Sequence, residues 1–181
     1  MLTQLHTDEK IQKELILSVF IIMAALFNIL ESTIPKPMPW FRIGLGNIFI
    51  LSSIVIMGLR QGMIVGIGKV ITSGLVLGTI FSPAFFMSLS GTVLSIIIMF
   101  FIWKFFRRVF SLIGVSIIGS IAHNFGQLII ILIIMKFHKS IYLQIPFIIL
   151  FGTISGFITG IITNSFLKKW EVHRSIPPNR E

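Results

Sequence analysis

Six apolar stretches, cut apart by charges and turn formers, set the plan of this chain. Residues 15–30 carry no charge and lie between Glu14 and Glu31. The stretch that follows holds Pro35, Pro37 and Pro39, and proline's fixed φ and missing N–H exclude a regular helix there. A second run covers 43–59 and is closed by Arg60-Gln61; a third covers 62–80 with a single charge, Lys69. Ser82-Pro83 opens the fourth run, as suits the first turn of a helix, and Lys104, Arg107 and Arg108 close it. The fifth run begins at Ser111, and the sixth, with Pro146 near its start, ends at Leu167. Each run reaches or nearly reaches the ~20 residues that cross a hydrocarbon core of about 30 Å. Backbone in lipid must satisfy its own hydrogen bonds, so such runs are helices.

The pattern predicts an all-α integral membrane protein of six transmembrane helices, at approximately 15–31, 43–59, 62–80, 83–106, 111–136 and 145–167. Residues 1–14 would form a cytoplasmic N-terminal segment and 168–181 a basic cytoplasmic tail. A cleaved leader is the alternative for the first run, but its flank of Asp8-Glu9-Lys10 is not distinctly basic and no small-residue cleavage site follows.

Composition strengthens this plan. Of 181 residues, 55% are hydrophobic and 12% charged, against about 25% charged in a soluble domain. The formal charge of +9 would suggest nucleic acid for a soluble protein; here it fits Lys and Arg at a lipid headgroup surface, and no nucleic-acid partner is expected. With the N-terminus inside, Lys10, Lys13, Arg60, Lys104, Arg107, Arg108, Lys168, Lys169, Arg174 and Arg180 fall on the inner side. Only Lys36, Arg42, Lys136 and Lys139 fall outside. The positive-inside rule then places both termini in the cytoplasm of a multi-pass cell-membrane protein.

Small residues at four-residue spacing mark packing faces: Gly62, Gly66, Gly74 and Gly78 in the third helix, Gly152, Gly156 and Gly160 in the sixth. No larger repeat or inverted symmetry is evident.

Polar groups inside the membrane carry the chemistry, because each is costly in lipid and faces a cavity or a partner. Arg42 and Asn47 sit at and just below the outer mouth of the second helix, and Glu31 with Asn28 at the outer end of the first. His123, Asn124 and Gln127 lie at mid-height or slightly outward in the fifth helix; Lys69 is deeper in the third, one turn from Ser73. Each has a structural alternative. Glu31 and Arg42 fit an interfacial ion pair; His123, Asn124 and Gln127 fit interhelical hydrogen bonds; Lys69 fits a snorkelling side chain. Their convergence on the outer half reads better as a water-accessible pocket. The candidate substrate-binding residues are Arg42, Asn47, Lys69, His123, Asn124 and Gln127, with Asn28, Glu31 and Ser73 secondary. Arg42 would grip an anionic group with its fork, Lys69 supply a deep counter-charge, and the amides fix orientation.

Catalytic machinery is sparse in this sequence. The one Asp is Asp8 and there is no Cys, so magnesium–diphosphate chemistry lacks its clustered carboxylates and thiolate metal sites are excluded. No Ser/His/Asp triad can be assembled, no P-loop occurs, and haem ligation by facing histidines fails because only His123 is deep. The expectation is a non-enzyme with no metal and no cofactor.

The segment Pro39-Trp40-Phe41-Arg42-Ile43-Gly44-Leu45-Gly46-Asn47-Ile48 resembles the signature P-x-x-R-L-G-L-A-N-I of the Gx transporter family, also labelled heptaprenyl diphosphate synthase component I. Phe81-Ser82-Pro83-Ala84-Phe85, Ser88-Leu89-Ser90-Gly91 and Gly119-Ser120-Ile121-Ala122-His123-Asn124-Phe125-Gly126-Gln127-Leu128 extend the likeness over roughly 15–165, and Lys69 stands where that family has a basic residue. Members resemble the S components of energy-coupling factor transporters, six-helix bundles that take up small solutes. The resemblance implies an S-component-like bundle that captures a small solute, an anionic one on the chemistry above, from the extracellular side. It also implies partner ATPase and transmembrane coupling subunits. S components dock those partners through Ala-x-x-x-Ala in the first helix, whereas here Asn28 and Ile29 stand four residues after Ala24 and Ala25. The alternative is a non-catalytic membrane subunit of prenyl-diphosphate or quinone biosynthesis, or of an electron-transfer assembly.

Overall fold

A computed structural model describes residues 2–34, 43–136 and 139–175. It contains six α-helices, α1 Leu2–Thr33, α2 Asn47–Met57, α3 Leu59–Val76, α4 Pro83–Phe106, α5 Leu112–Ile134 and α6 Ile145–Ser175, with a 3-10 turn, Lys139–Gln144, before the last. No strand occurs among the described residues. Four helices, α1, α4, α5 and α6, are long and apolar enough to cross a membrane. The large apolar side chains they leave exposed, such as Ile22 on α1, Ile97 on α4, Ile133 on α5 and Phe157 on α6, are what a lipid-facing surface requires.

The second and third helices depart from the expected bounds. α2 has 11 residues, about 16 Å at 1.5 Å per residue, which alone falls short of a bilayer core. Gly58 ends α2 and begins α3 with φ 96° and ψ −175°, a conformation essentially confined to glycine. The chain reverses there. A Cβ on Gly62 would lie 2.5 Å from Ile54, one on Gly66 3.5 Å from Ile50, and Lys69 reaches Asn47. These pairs are equidistant from Gly58, so α2 and α3 form a tight antiparallel hairpin. α3 then stops at Val76 rather than 80. Thr79 N–H donates to the Gly74 carbonyl and Gly78 N–H to that of Leu75, and Gly78 has φ 63°; together these form a Schellman cap. Gly78 is therefore a helix terminator, not part of a packing stripe.

Other boundaries follow sequence signals. The Ser82 hydroxyl accepts from Phe85 N–H at the start of α4, and Ser111 from Gly114 N–H at the start of α5. α1 reaches back to Leu2 and α6 forward to Ser175, so helix invades both segments expected to flank the domain.

Helices consecutive in the chain alternate in direction, and α4, α5 and α6 approach closely through glycine. A Cβ on Gly126 would fall 2.7 Å from the Gly91 backbone, joining α4 to α5; one on Gly160 would fall 2.8 Å from the Ile113 backbone, joining α5 to α6. Phe20, Phe49, Phe166 and Trp170 clasp α1, α2 and α6. Alternation gathers the exposed Lys10, Lys13, Arg60, Lys104, Arg107, Arg108, Lys168 and Lys169 at one end of the bundle, with exposed Lys136 and Lys139 at the other.

Candidate functional site

Toward the end opposite that basic cluster, five helices bury polar side chains at one level. Asn28 on α1, Asn47 on α2, Lys69 and Ser73 on α3, Ser88 and Thr92 on α4, and His123 and Gln127 on α5 are each 7% exposed or less. The level is fixed by packing: Lys69 lies opposite Asn47 in the hairpin, Gly66 one turn below abuts Thr92, and Gly91 abuts His123 and Gln127.

Two groups stand out within the layer. In the first, Lys69 Nζ donates to Asn47 Oδ1 at 3.1 Å, Asn28 Nδ2 donates to Ser73 Oγ at 2.8 Å, and Ser73 Oγ donates to the Lys69 carbonyl at 2.8 Å. Lys69 thus points into the bundle at 3% exposure rather than toward the headgroups. In the second, His123 Nε2 and Gln127 Nε2 are 2.8 Å apart on α5, held against α4 where Gly91 leaves room. Asn124 does not join them. It turns to α6, its Nδ2 donating to the Ile148 carbonyl at 3.4 Å, and so acts as a tie between helices.

Glu31 also has a structural task. Its carboxylate accepts from the N–H of Gly44 at 3.1 Å and from that of Leu45, two backbone donors in the irregular segment leading into α2. Arg42 lies outside the described residues.

Sequence reasoning missed Ser88 and Thr92. Ser88 joins Asn28, Ser73 and Gly74 around a cavity of about 20 Å³ between α1, α3 and α4, room for a single water. Thr92 Oγ1, Ser95 Oγ one turn on, and Gln127 Oε1 are buried with no hydrogen-bond partner among the described residues. The signal was available: Ser88, Thr92 and Ser95 recur at helical spacing in a run whose one other hydroxyl is Ser90. No group of three or more His, Cys, Asp or Glu able to hold a metal occurs among the described residues.

A family model described as heptaprenyl diphosphate synthase component I matches residues 20–166, from within α1 to the last turns of α6. No curated protein and no solved structure matches the chain.

Proposed function

This chain belongs to the heptaprenyl diphosphate synthase component I family, and from that premise we propose that it is a membrane-embedded capture protein for a small anionic solute. The observation that carries the reading is unmet hydrogen-bonding capacity beside a buried cation. Gln127 Oε1 and Thr92 Oγ1 lack described partners at the level where Lys69 is buried. An unsatisfied buried polar group costs about 1–3 kcal/mol, and a lysine at mid-membrane about 2.5–3.5 kcal/mol on insertion scales. An anion drawn to the Lys69 ammonium and bonded by Gln127 and Thr92 would satisfy the two side chains that lack described partners. Arg42, Asn47 and His123 complete the proposed site, with Asn28 and Ser73 at its edge. At about 20 Å³ the cavity beside the layer is far below the ~300 Å³ of ordinary ligand sites. On this reading the layer is contracted, and capture requires α1, α3 and α4 to part at their outer ends. Transport energy would come from ATPase and transmembrane coupling subunits. Ala24 and Ala25 are 0% and 1% exposed, so those partners would dock on another face of α1 or elsewhere.

The test is mass spectrometry of small molecules released by heating from purified protein, wild type against Lys69→Met. An anionic compound near one equivalent in the wild type and absent from a folded Lys69→Met supports capture. No retained compound, with a prenyltransferase or redox subunit co-purifying instead, supports the membrane-subunit reading that the family description suggests.

A further inference from the structure

A second concavity lies on the outside of the bundle. It runs between α1 and α3, with Ile21 on one wall and Met63, Ile64, Ile67 and Ile71 on the other, and has a volume of about 770 Å³. Gly68 forms its floor; a Cβ there would already meet Ile21 at 3.1 Å, so the helices touch at that point and diverge around it. The lining is apolar along its length, and among the described residues that line it Arg60, exposed and at one end, is the one charged residue. Lys13 of α1 reaches the residue that follows Arg60: its Nζ is 3.0 Å from the Gln61 side chain, whose amide is best oriented to accept from Lys13 and to donate to the Met57 carbonyl.

Length and charge identify an occupant. From Arg60 to Ile71 the groove follows α3 for about 16 Å at 1.5 Å per residue, close to half of a hydrocarbon core of about 30 Å. It therefore runs from one headgroup surface to the bilayer centre, the reach of a single acyl chain of one leaflet. Apolar contact gives no preference among lipids, because every tail in the bilayer is equally apolar. Selection must come from the mouth, where two cations face the level of a lipid phosphate. We propose that the groove between α1 and α3 seats one chain of an anionic phospholipid whose headgroup is held by Arg60 and Lys13.

Native mass spectrometry of the intact protein, mixed with phosphatidylglycerol or phosphatidylcholine of identical chains, tests this. One retained phosphatidylglycerol, bound in preference to phosphatidylcholine, is expected. Each basic residue near an anionic lipid is worth about fivefold, so Arg60→Gln and Lys13→Gln should each reduce the preference by about that factor. Lys136→Gln, at the opposite end, should leave it unchanged. Ile64→Trp, filling the groove from its rim, should weaken both lipids together. Equal binding of the two lipids by the wild type, or loss of preference in Lys136→Gln as large as in Arg60→Gln, overturns the proposal. A dimeric mass that Ile64→Trp dissolves also overturns it, since a second copy would then fill the groove. Both charge variants are at exposed positions, and unchanged elution on size exclusion confirms that each is folded.

Discussion

Asn124 and Gln127 are three residues apart on α5 and have opposite consequences when made apolar. Gln127→Leu loses the Nε2 contact with His123 but also removes an Oε1 that lacks a described partner; the two effects offset each other, so the melting temperature of ligand-free protein should be nearly unchanged. On the capture reading the substitution should also abolish retention of the co-purifying solute. Asn124 ties α5 to the Ile148 carbonyl. Asn124→Leu should lower the melting temperature by the equivalent of about 0.6 kcal/mol, the average for such bonds in a membrane protein, and leave solute retention intact. Thermal melts and released-ligand mass spectrometry on the two variants check both outcomes. At Glu31 two backbone donors share one carboxylate. Glu31→Gln keeps one acceptor and turns an NH₂ toward the other donor, a loss of about 1–3 kcal/mol measurable in the same melts. The sequence made the polar positions legible, since a charge or amide in an apolar run stands out. It did not make their directions legible. His123, Asn124 and Gln127 are near neighbours on one helix, and only the positions of α4 and α6 decide that two face Gly91 while the third faces Ile148.

At the scale of elements, the hairpin at Gly58 is the sharpest case. Nothing lies within 4 Å of a Cβ placed there, so Gly58→Ala meets no clash and carries only the backbone penalty of a glycine-only conformation, about 1–3 kcal/mol. Gly156→Ala differs in kind, because its Cβ would overlap the Ile117 backbone and force α5 from α6. Denaturation in mixed micelles should show the first as a destabilised protein of native shape and the second as a failure of the α5–α6 seam. Helix starts were legible from Ser82-Pro83 and Ser111, whose side chains cap as their chemistry requires. The stop of α3 was encoded too, by Gly78 as a left-handed cap, but four-residue spacing drew that glycine into the packing stripe. The turn between α2 and α3 was placed at Arg60-Gln61 because charge is a louder signal than a lone glycine. The backbone reverses two residues earlier.

For the whole molecule, the membrane class was readable from apolar runs alone, while the number of full-length spans was not. Run length counts residues that are apolar; a broken helix such as α2 uses part of its run, 43–46, as irregular backbone. Alternation of six helices leaves the basic positions at one end, and on the positive-inside rule we propose that this end faces the cytoplasm. Single cysteines introduced at Thr7, Lys36 and Lys139, in a chain with no native Cys, give the check. Membrane-impermeant thiol reagents added to intact cells should label positions 36 and 139 and spare position 7. Labelling at position 7 would invert the orientation.

The hairpin at Gly58 also bears on how the protein is made. Emerging alone from the ribosome, α3 would offer the translocon a segment holding both Arg60 and Lys69, and a lysine near the centre of a nascent span is penalised by about 2.5–3.5 kcal/mol at that gate. α2 contains no charged residue and carries, at the position facing Lys69, the amide oxygen that receives its ammonium. The two helices therefore have reason to leave the gate as a pair, with Asn47 satisfying Lys69 before either meets lipid. Membrane integration of the third helix becomes a property of the nascent chain from Asn47 onward, and an Asn47→Leu chain should stall α3 at the interface during synthesis.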